Sequence, residues 1–299
     1  MRRFLPIAAA LVALPLLASA VLAARPFPET IFLANGWLPE GIAAGRGLTA
    51  YAGSRADGGI ARIDLRTGER DDSFVPDATG PAVGLEYESG ADRLWVAGGD
   101  SGEVRVYDAS SGELLATYSF EAGFVNDIVV TADAAYATDS GIQQLLVVPL
   151  GQGGDLPDPD EAFAMEITGD FVYTSGFNAN GIESFGGWLL VPKSNTGELY
   201  AIDPDTGVST EILPAGSVTN ADGLLLVGNK LYVVRNFLNL IDVWQIRGAS
   251  LVKVDTLTSP TFDIPTTVAF AGGSLWAVNA RFTTPPTPET PYWITQLSR

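Results

Sequence analysis

The chain has 299 residues, with 35 Asp and Glu against 17 Lys and Arg, a formal net charge of −18, and neither Cys nor His. Disulfides, the usual Cys/His zinc sites and catalysis by Ser-His-Asp or Cys-His groups are therefore excluded. The acidic balance argues against nucleic-acid binding, because a phosphate backbone must be met by basic side chains. The ligand chemistry that remains, carboxylate and amide oxygens, is typical of a hard cation such as calcium.

The first 24 residues have the features of a secretory signal peptide. Arg2 and Arg3 form a basic start, residues 4–17 form a short apolar segment, and residues 18–20 or 22–24 offer a small-residue cleavage site. An uncleaved membrane anchor is the alternative. Cleavage predicts a protein that is secreted or periplasmic, and a mature chain that does not span a membrane.

One short pattern recurs six times: a polar or small residue, a triplet similar to Gly-Ile-Ala, a turn and an apolar strand. Its leading residues are Glu40, Val83, Asn126, Asn180, Asp222 and Thr266. They lie roughly 43 residues apart, except across one longer interval, which contains a Gly/Pro/Asp-rich insert at 151–160. Further short strands rich in Val, Ile, Tyr and Trp follow each leading residue.

Repeats of this length with three or four strands are typical of β-propeller blades. The six repeats predict an all-β, six-bladed β-propeller as a single domain over residues 25–299. A linear β-solenoid is the structural alternative, but its repeat is usually much shorter. An early strand at 30–34 is expected to pair with the last strand, near 292–297, and to close the ring.

The leading residues of a propeller repeat all begin inner strands at one face of the disc, so they are expected to ring the mouth of the central channel. Four of them, Glu40, Asn126, Asn180 and Asp222, carry ligand oxygens. Any one alone is explained by the preference of Asn and Asp for turns. The four in register predict a shared metal site, with calcium favoured over magnesium or manganese.

A second ring is expected slightly further out, at the ends of the second strands. Thirteen residues after the later leading positions lie Asp139, Lys193, Arg235 and Asn279. Each alone is explained as a solvated loop residue. As a set they predict a polar wall around the metal, in which Lys193 or Arg235 stabilises developing negative charge. Asp139 is expected either to orient ligands or to cap a turn.

The leading motifs resemble those of the SMP-30/gluconolactonase-like family, in order and spacing over nearly the whole mature chain. They are residues 39–43, 125–127, 179–182 and 221–224. The resemblance implies a six-bladed propeller with calcium in its channel, and hydrolysis of lactones, or of aryl esters or organophosphates as in relatives. By position, Glu40, Asn180 and Asp222 look like metal ligands. Asn126 looks like a fourth ligand or a substrate-binding amide, and Asp222 like the candidate base.

Phe124 is a departure from this pattern, because sugar-lactonase members place an Arg two residues before the Asn-Asp pair. This departure favours a more apolar substrate. The histidine-dependent mechanism of the arylesterase relatives is excluded, because the chain has no His.

The sequence thus predicts an exported, monomeric, calcium-dependent hydrolase of a small lactone or ester. Asp222, Lys193 and Arg235 are the expected catalytic residues. The expected substrate contacts are Asn126, Phe124, Asp139 and Asn279. The alternative is a non-enzymatic secreted propeller whose calcium is structural and whose face is a binding platform. A quinone-dependent dehydrogenase is disfavoured, because no histidine base and no recognisable cofactor-binding residues are present.

Overall fold

Short antiparallel strands build the part of the chain that the computed structural model describes, which is residues 27–78, 80–248 and 250–298. The predicted signal segment lies outside these residues. No helix within them is long and apolar enough to cross a membrane.

The strands follow one another in the order of the sequence repeats. The first strand and the first blade are β1 (Thr30–Phe32), β2 (Pro39–Ala44), β3 (Thr49–Ser54), β4 (Ile60–Asp64) and β5 (Arg70–Val75). The second blade is β6 (Leu85–Glu88), β7 (Arg93–Ala97), β8 (Glu103–Asp108) and β9 (Leu114–Ser119). The third is β10 (Val125–Val130), β11 (Ala134–Asp139), β12 (Gln144–Pro149) and β13 (Phe163–Glu166).

The remaining three blades repeat this arrangement. The fourth has β14 (Thr168–Gly169), β15 (Glu183–Phe185), β16 (Trp188–Pro192), β17 (Leu199–Ile202) and β18 (Val208–Leu213). The fifth is β19 (Ala221–Val227), β20 (Lys230–Arg235), β21 (Leu240–Arg247) and β22 (Ser250–Leu257). The sixth is β23 (Pro265–Ala271), β24 (Ser274–Asn279), β25 (Trp293–Ser298) and β1. Two short 3₁₀ turns lie at Pro159–Glu161 and Asn236–Leu238.

These six sheets confirm the predicted all-β, six-bladed propeller. The insert at 151–160 lies between β12 and β13, which accounts for most of the one long repeat interval. The fourth blade gains an extra edge strand, because β14 pairs in parallel with β18.

The ring closes as predicted, through pairing of β1 with β25. Ile31 lies opposite Ile294, and the backbone N–H of Leu33 still donates to the carbonyl of Tyr292 at 2.9 Å. The strand is shorter than the expected 30–34, because the chain then turns at Gly36, whose φ is 74°. The first strand of the chain thus completes the last blade, which removes a free sheet edge.

Apolar cores lie between adjacent blades, and six such clusters account for the buried hydrophobic residues. The second strands contribute most, because both of their faces are covered by neighbouring sheets. Leu94, Trp95 and Val96 are consecutive and fully buried, with Leu94 facing the first blade and Trp95 the third. This two-sided burial explains why these strands are continuously apolar rather than alternating.

The glycine after the leading residue is required by the close approach of neighbouring inner strands. A Cβ on Gly41 would lie 2.1 Å from the carbonyl oxygen of Val83, and one on Gly181 would lie 2.4 Å from that of Asp222. No side chain fits between strands so close together. The repeated Gly is therefore a packing requirement of the channel.

Closure of the ring can be tested with two neighbouring residues of β1. Ile31 is 2% exposed and packs into the cluster between the sixth and first blades, whereas Phe32 is 62% exposed. Ile31→Ala should lower the free energy of unfolding by about 2–4 kcal/mol. Phe32→Ala should change it by no more than about 0.5 kcal/mol. Urea denaturation of both variants measures this, and similar losses in the two would contradict the assigned closure.

Candidate functional site

A cavity of about 400 Å³ opens at the end of the channel where the inner strands begin. Its lining residues are Glu40, Arg55, Phe124, Asn126, Phe177, Asn180, Ser194, Asn195, Asn220, Asp222, Asn236, Phe237 and Phe282. The structure thus brings together all four predicted metal ligands and the predicted substrate contact Phe124. The four ligand candidates are buried, with exposures of 2–6%.

The ligand candidates occupy equivalent positions in their blades. Glu40, Asn126 and Asp222 are each the second residue of an inner strand, while Asn180 lies three residues before β15. The two other leading residues serve packing instead. Val83 is buried, and the Thr266 hydroxyl donates to the backbone carbonyl of Glu40 at 2.6 Å.

A register shift occurs at this same point in four inner strands. The irregularities lie between Pro39 and Ile42, Val125 and Ile128, Ala221 and Leu224, and Pro265 and Val268. Such bulges re-aim side chains and are frequent beside functional sites. Three of the four ligand candidates lie within them, so the same local distortion directs each toward the cavity.

The two carboxyl groups of the cavity stand in a poorly solvated environment. Burial raises the pKa of Glu40, and the charge of Arg55, whose Nε lies 3.5 Å from Glu40 Oε2, lowers it in part. Burial raises the pKa of Asp222 well above its usual range, and the negative charge of Glu40 raises it further. The ionised pair therefore needs a nearby positive charge.

Unpartnered oxygens show that these residues fit a cation. Glu40 Oε2 and Asn180 Oδ1 are buried and accept no hydrogen bond from the residues described. Asn126 Nδ2 donates to Ser140 Oγ at 2.9 Å, which leaves its Oδ1 as the available acceptor. Buried acceptors without donors are costly unless a ligand meets them. A hard cation accepts oxygens of these two types.

Carboxylates alone do not form this site. Among the described residues, no group of three or more Asp, Glu, His or Cys side chains is arranged to hold a metal ion. A cation in the cavity would depend on the amide oxygens of Asn126 and Asn180 as well as on Glu40 and Asp222.

The second predicted ring does not line the cavity. The Lys193 ammonium donates to the carbonyl of Val172 at 2.8 Å. Arg235 donates to the carbonyl of Thr219 and forms an ion pair with Asp242 at 3.1 Å. Both cations therefore hold loops and a neighbouring strand in place, and these contacts do not support the catalytic roles expected for them.

Asp139 and Asn279 are also occupied by structural contacts. Asp139 is fully buried and accepts the backbone N–H groups of Gly123 and Phe124, among others, which is the turn-capping role considered above. Asn279 accepts the N–H of Asp263 and donates to the hydroxyl of Thr295. Neither lies in the cavity wall, so the expected substrate contacts are corrected for both.

The correction has a simple cause, because successive side chains of a strand point to opposite faces. The residue after each second-ring position is the one directed at the site. Asn236 Nδ2 donates to Asp222 Oδ2 at 2.6 Å. Ser140 accepts from Asn126, and Ser194 lines the cavity. The sequence interval was thus chosen one residue too short.

Arg55 and three phenylalanines are the main residues that the sequence analysis missed. Arg55 follows the second strand of the first blade, directly after Ser54, the pairing partner of Pro39. The same offset from the leading residue would have found it. Phe177, Phe237 and Phe282 lie in connections between strands, where no repeat pattern marks them.

A second acidic region lies further along the inner strands. A cavity of about 280 Å³ is lined there by Glu86, Asp127 and Glu183, among apolar residues. Burial raises the pKa of Glu86 well above its usual range and raises the pKa values of Asp127 and Glu183 to about 7. The channel is therefore acidic beyond the candidate site.

Comparison with known proteins shows the fold but not a family. No family model matches the sequence, and no curated protein matches it. The major allergen Mala s 1 of Malassezia sympodialis is similar in structure, with 15% identity, a TM-score of 0.69, and coverage of 91% of this chain and 97% of that one. The resemblance to the SMP-30/gluconolactonase-like family stays a prediction.

Two enzymes are also similar in structure. Virginiamycin B lyase from Staphylococcus aureus has 13% identity and a TM-score of 0.61, covering 90% of this chain and 88% of its own. A PQQ-bound aldose sugar dehydrogenase from Streptomyces coelicolor has 16% identity and a TM-score of 0.58, covering 92% and 99%. Identities this low establish a shared architecture and leave the chemistry to be argued from the site.

The deeper carboxyl groups predict a pH dependence of stability. Because the folded-state pKa of Glu183 is raised from its usual value to about 7, chiefly by burial and then by Asp127, folding favours its protonated form. The free energy of unfolding should fall as pH rises from about 5 to about 8. Glu183→Gln cannot ionise, so its stability relative to the parent should rise by about 1–2 kcal/mol over that range.

Chemical denaturation in calcium-free buffer at the two pH values measures this difference. Glu166→Gln, which neutralises an exposed carboxylate, is the matched control and should show no such trend. Equal shifts in the two variants would contradict the assignment to Glu183.

Proposed function

We propose that this protein is a calcium-dependent hydrolase of small esters or lactones. The observation that carries the proposal is the pair of buried oxygens without donors, Glu40 Oε2 and Asn180 Oδ1, in one cavity with Asp222 and Asn126. These four residues would hold the cation, and a second divalent metal such as magnesium or manganese is the alternative. When bound, calcium supplies Lewis-acid polarisation of a carbonyl oxygen.

Asp222 is the proposed general base. Its Oδ2 is held by the Asn236 amide at 2.6 Å, which leaves Oδ1 free to accept a proton from water. A raised pKa, here caused first by burial, makes a carboxylate a stronger base. Asn236 is a positioning residue for this carboxylate, because it touches Asp222 rather than the reacting atoms.

The cavity walls exclude water while leaving one open side. The floor is polar, and the phenylalanines at the rim cover its edge. A volume of about 400 Å³ is at the small end of the usual range for ligand sites. The site therefore suits a small molecule rather than a polymer.

A non-enzymatic binding platform is the second candidate, and the rim favours it specifically. Phe177 and Phe237 are each more than half exposed. Exposed aromatic residues around a cavity serve binding without chemistry equally well. In that case the cation would stabilise the fold and the cavity would hold a ligand unchanged.

Calcium binding is the first test. Isothermal titration of the mature, chelator-stripped protein should show one equivalent of calcium bound. Asp222→Asn should weaken this binding by at least about tenfold, because one of the two carboxylates is lost. Asp205→Asn, at an exposed turn, is the control and should bind as the parent does. No binding, or equal binding in the Asp222 variant, would refute the site.

Hydrolysis is the second test. Phenyl acetate and a set of alkyl-substituted γ- and δ-lactones should be turned over with calcium and not with chelator. Asp222→Asn should lower kcat/KM by at least about 100-fold while circular dichroism remains unchanged. Undiminished hydrolysis in this variant would remove Asp222 from the mechanism. Calcium binding without turnover of any substrate would favour the binding platform.

A further inference from the structure

Arg55 brings a positive charge into the cavity without using its hydrogen bonds. Its buried Nε donates to none of the described residues, although it lies 3.5 Å from Glu40 Oε2. The guanidinium stacks on the ring of Phe282, with 4.8 Å between its central carbon and the ring centroid. An arginine held in place by an aromatic ring, with donors to spare, is well suited to bind an anion.

The charge of the cavity depends on the cation. Glu40 and Asp222 together outweigh Arg55, so the ionised cavity without metal is negative and repels anions. A divalent cation on the carboxylates reverses that sign. It also neutralises Glu40, the acidic partner of Arg55. The guanidinium is then free to pair with a ligand.

Two pairs of phenylalanines form the apolar part of the rim. Phe124 and Phe177 are in edge-to-face contact, with ring centroids 5.4 Å apart, and Phe237 lies 6.2 Å from Phe282. Phe177 and Phe237 expose 54% and 52% of their surface. All four line the same cavity as Arg55.

Local hydrogen bonds hold the two exposed rings in place. The buried Asn178 donates to the carbonyls of Thr174 and Gly176, which fixes the loop that carries Phe177. The N–H of Phe237 donates to Asn236 Oδ1 at 2.6 Å. Rings on fixed loops lose little freedom when a ligand binds.

We propose that the cavity recognises a small amphipathic carboxylate, whose anionic group pairs with Arg55 and whose apolar ring or chain packs between the phenylalanines. The proposal rests on the cation-binding part of the proposed function. It places the polar end of the ligand on the floor of the cavity and the apolar end at the rim. A polyhydroxylated sugar acid would present its hydroxyl groups to phenylalanine rings and is disfavoured.

The same contact serves the proposed reaction. In ester or lactone hydrolysis, water adds its hydroxyl to the acyl carbon as the acyl C–O bond breaks, and the leaving oxygen takes a proton. The acid that forms releases its own proton to give a carboxylate. Arg55 would hold that carboxylate, so the probe that tests recognition is a product-like anion.

The experiment measures binding, and does not require turnover. Phenylacetate, benzyl alcohol and acetate are titrated into the full mature protein by calorimetry, with calcium and with chelator. With calcium, phenylacetate should bind at least about tenfold more tightly than either fragment. Chelator should weaken its binding by a similar factor, since linkage between the two ligands is reciprocal.

Matched variants separate charge from apolar contact. Arg55→Gln should reduce phenylacetate binding to the level of benzyl alcohol, whereas Arg247→Gln, at an exposed arginine outside the cavity, should not. Phe177→Ala should weaken phenylacetate binding by about threefold to tenfold and leave acetate unchanged. Phe163→Ala removes a similarly exposed ring outside the cavity and should change neither.

The outcomes distinguish this inference from the proposed function. Calcium binding with equal affinity for phenylacetate and benzyl alcohol would overturn the role of Arg55 and leave the hydrolase proposal standing. Equal affinity for phenylacetate and acetate would overturn the role of the phenylalanines. Arg55-dependent binding of phenylacetate without any hydrolysis would support the inference while the hydrolase proposal fails.

Discussion

The close approach of the inner strands around the channel is the constraint on which the rest of the structure depends. Gly41 and Gly181 leave space for a carbonyl oxygen of the next blade, and a methyl group in either place would overlap it. Because the strands come so near, the residue before each glycine is buried at the channel mouth. Side chains from distant parts of the sequence, such as Glu40 and Asp222, therefore share one cavity.

Burial at this constriction has an electrostatic consequence. Carboxyl groups that a surface would tolerate are here taken out of water, so the pKa values of Glu40 and Asp222 rise. The deeper groups Asp127 and Glu183 show the same effect. A channel of this kind either takes up protons or takes up a cation, and the two states differ in the sign of the charge presented to a ligand. Cation binding and ligand recognition are therefore expected to be coupled.

The position of the second ring shows how far a repeat pattern carries. The six leading positions could be aligned because a polar residue, a glycine and an apolar residue recur together. The ends of the second strands carry no comparable marker, and an error of one residue reverses the face of the sheet. Lys193 and Arg235 were chosen in this way, whereas Ser194 and Asn236 are the neighbours that reach the cavity.

The sequence by itself determined the fold class and the four converging oxygen ligands, because both follow from a repeat interval and a residue type at its start. The strand at Thr30 that closes the ring was also predictable from its pattern. Only the tertiary structure decided that Arg55 stacks on Phe282, and that Phe177 and Phe237 stand at the same rim. These residues lie in or beside the connections between strands. The path of such a segment depends on local hydrogen bonds and on the neighbouring blade, neither of which a periodic pattern encodes.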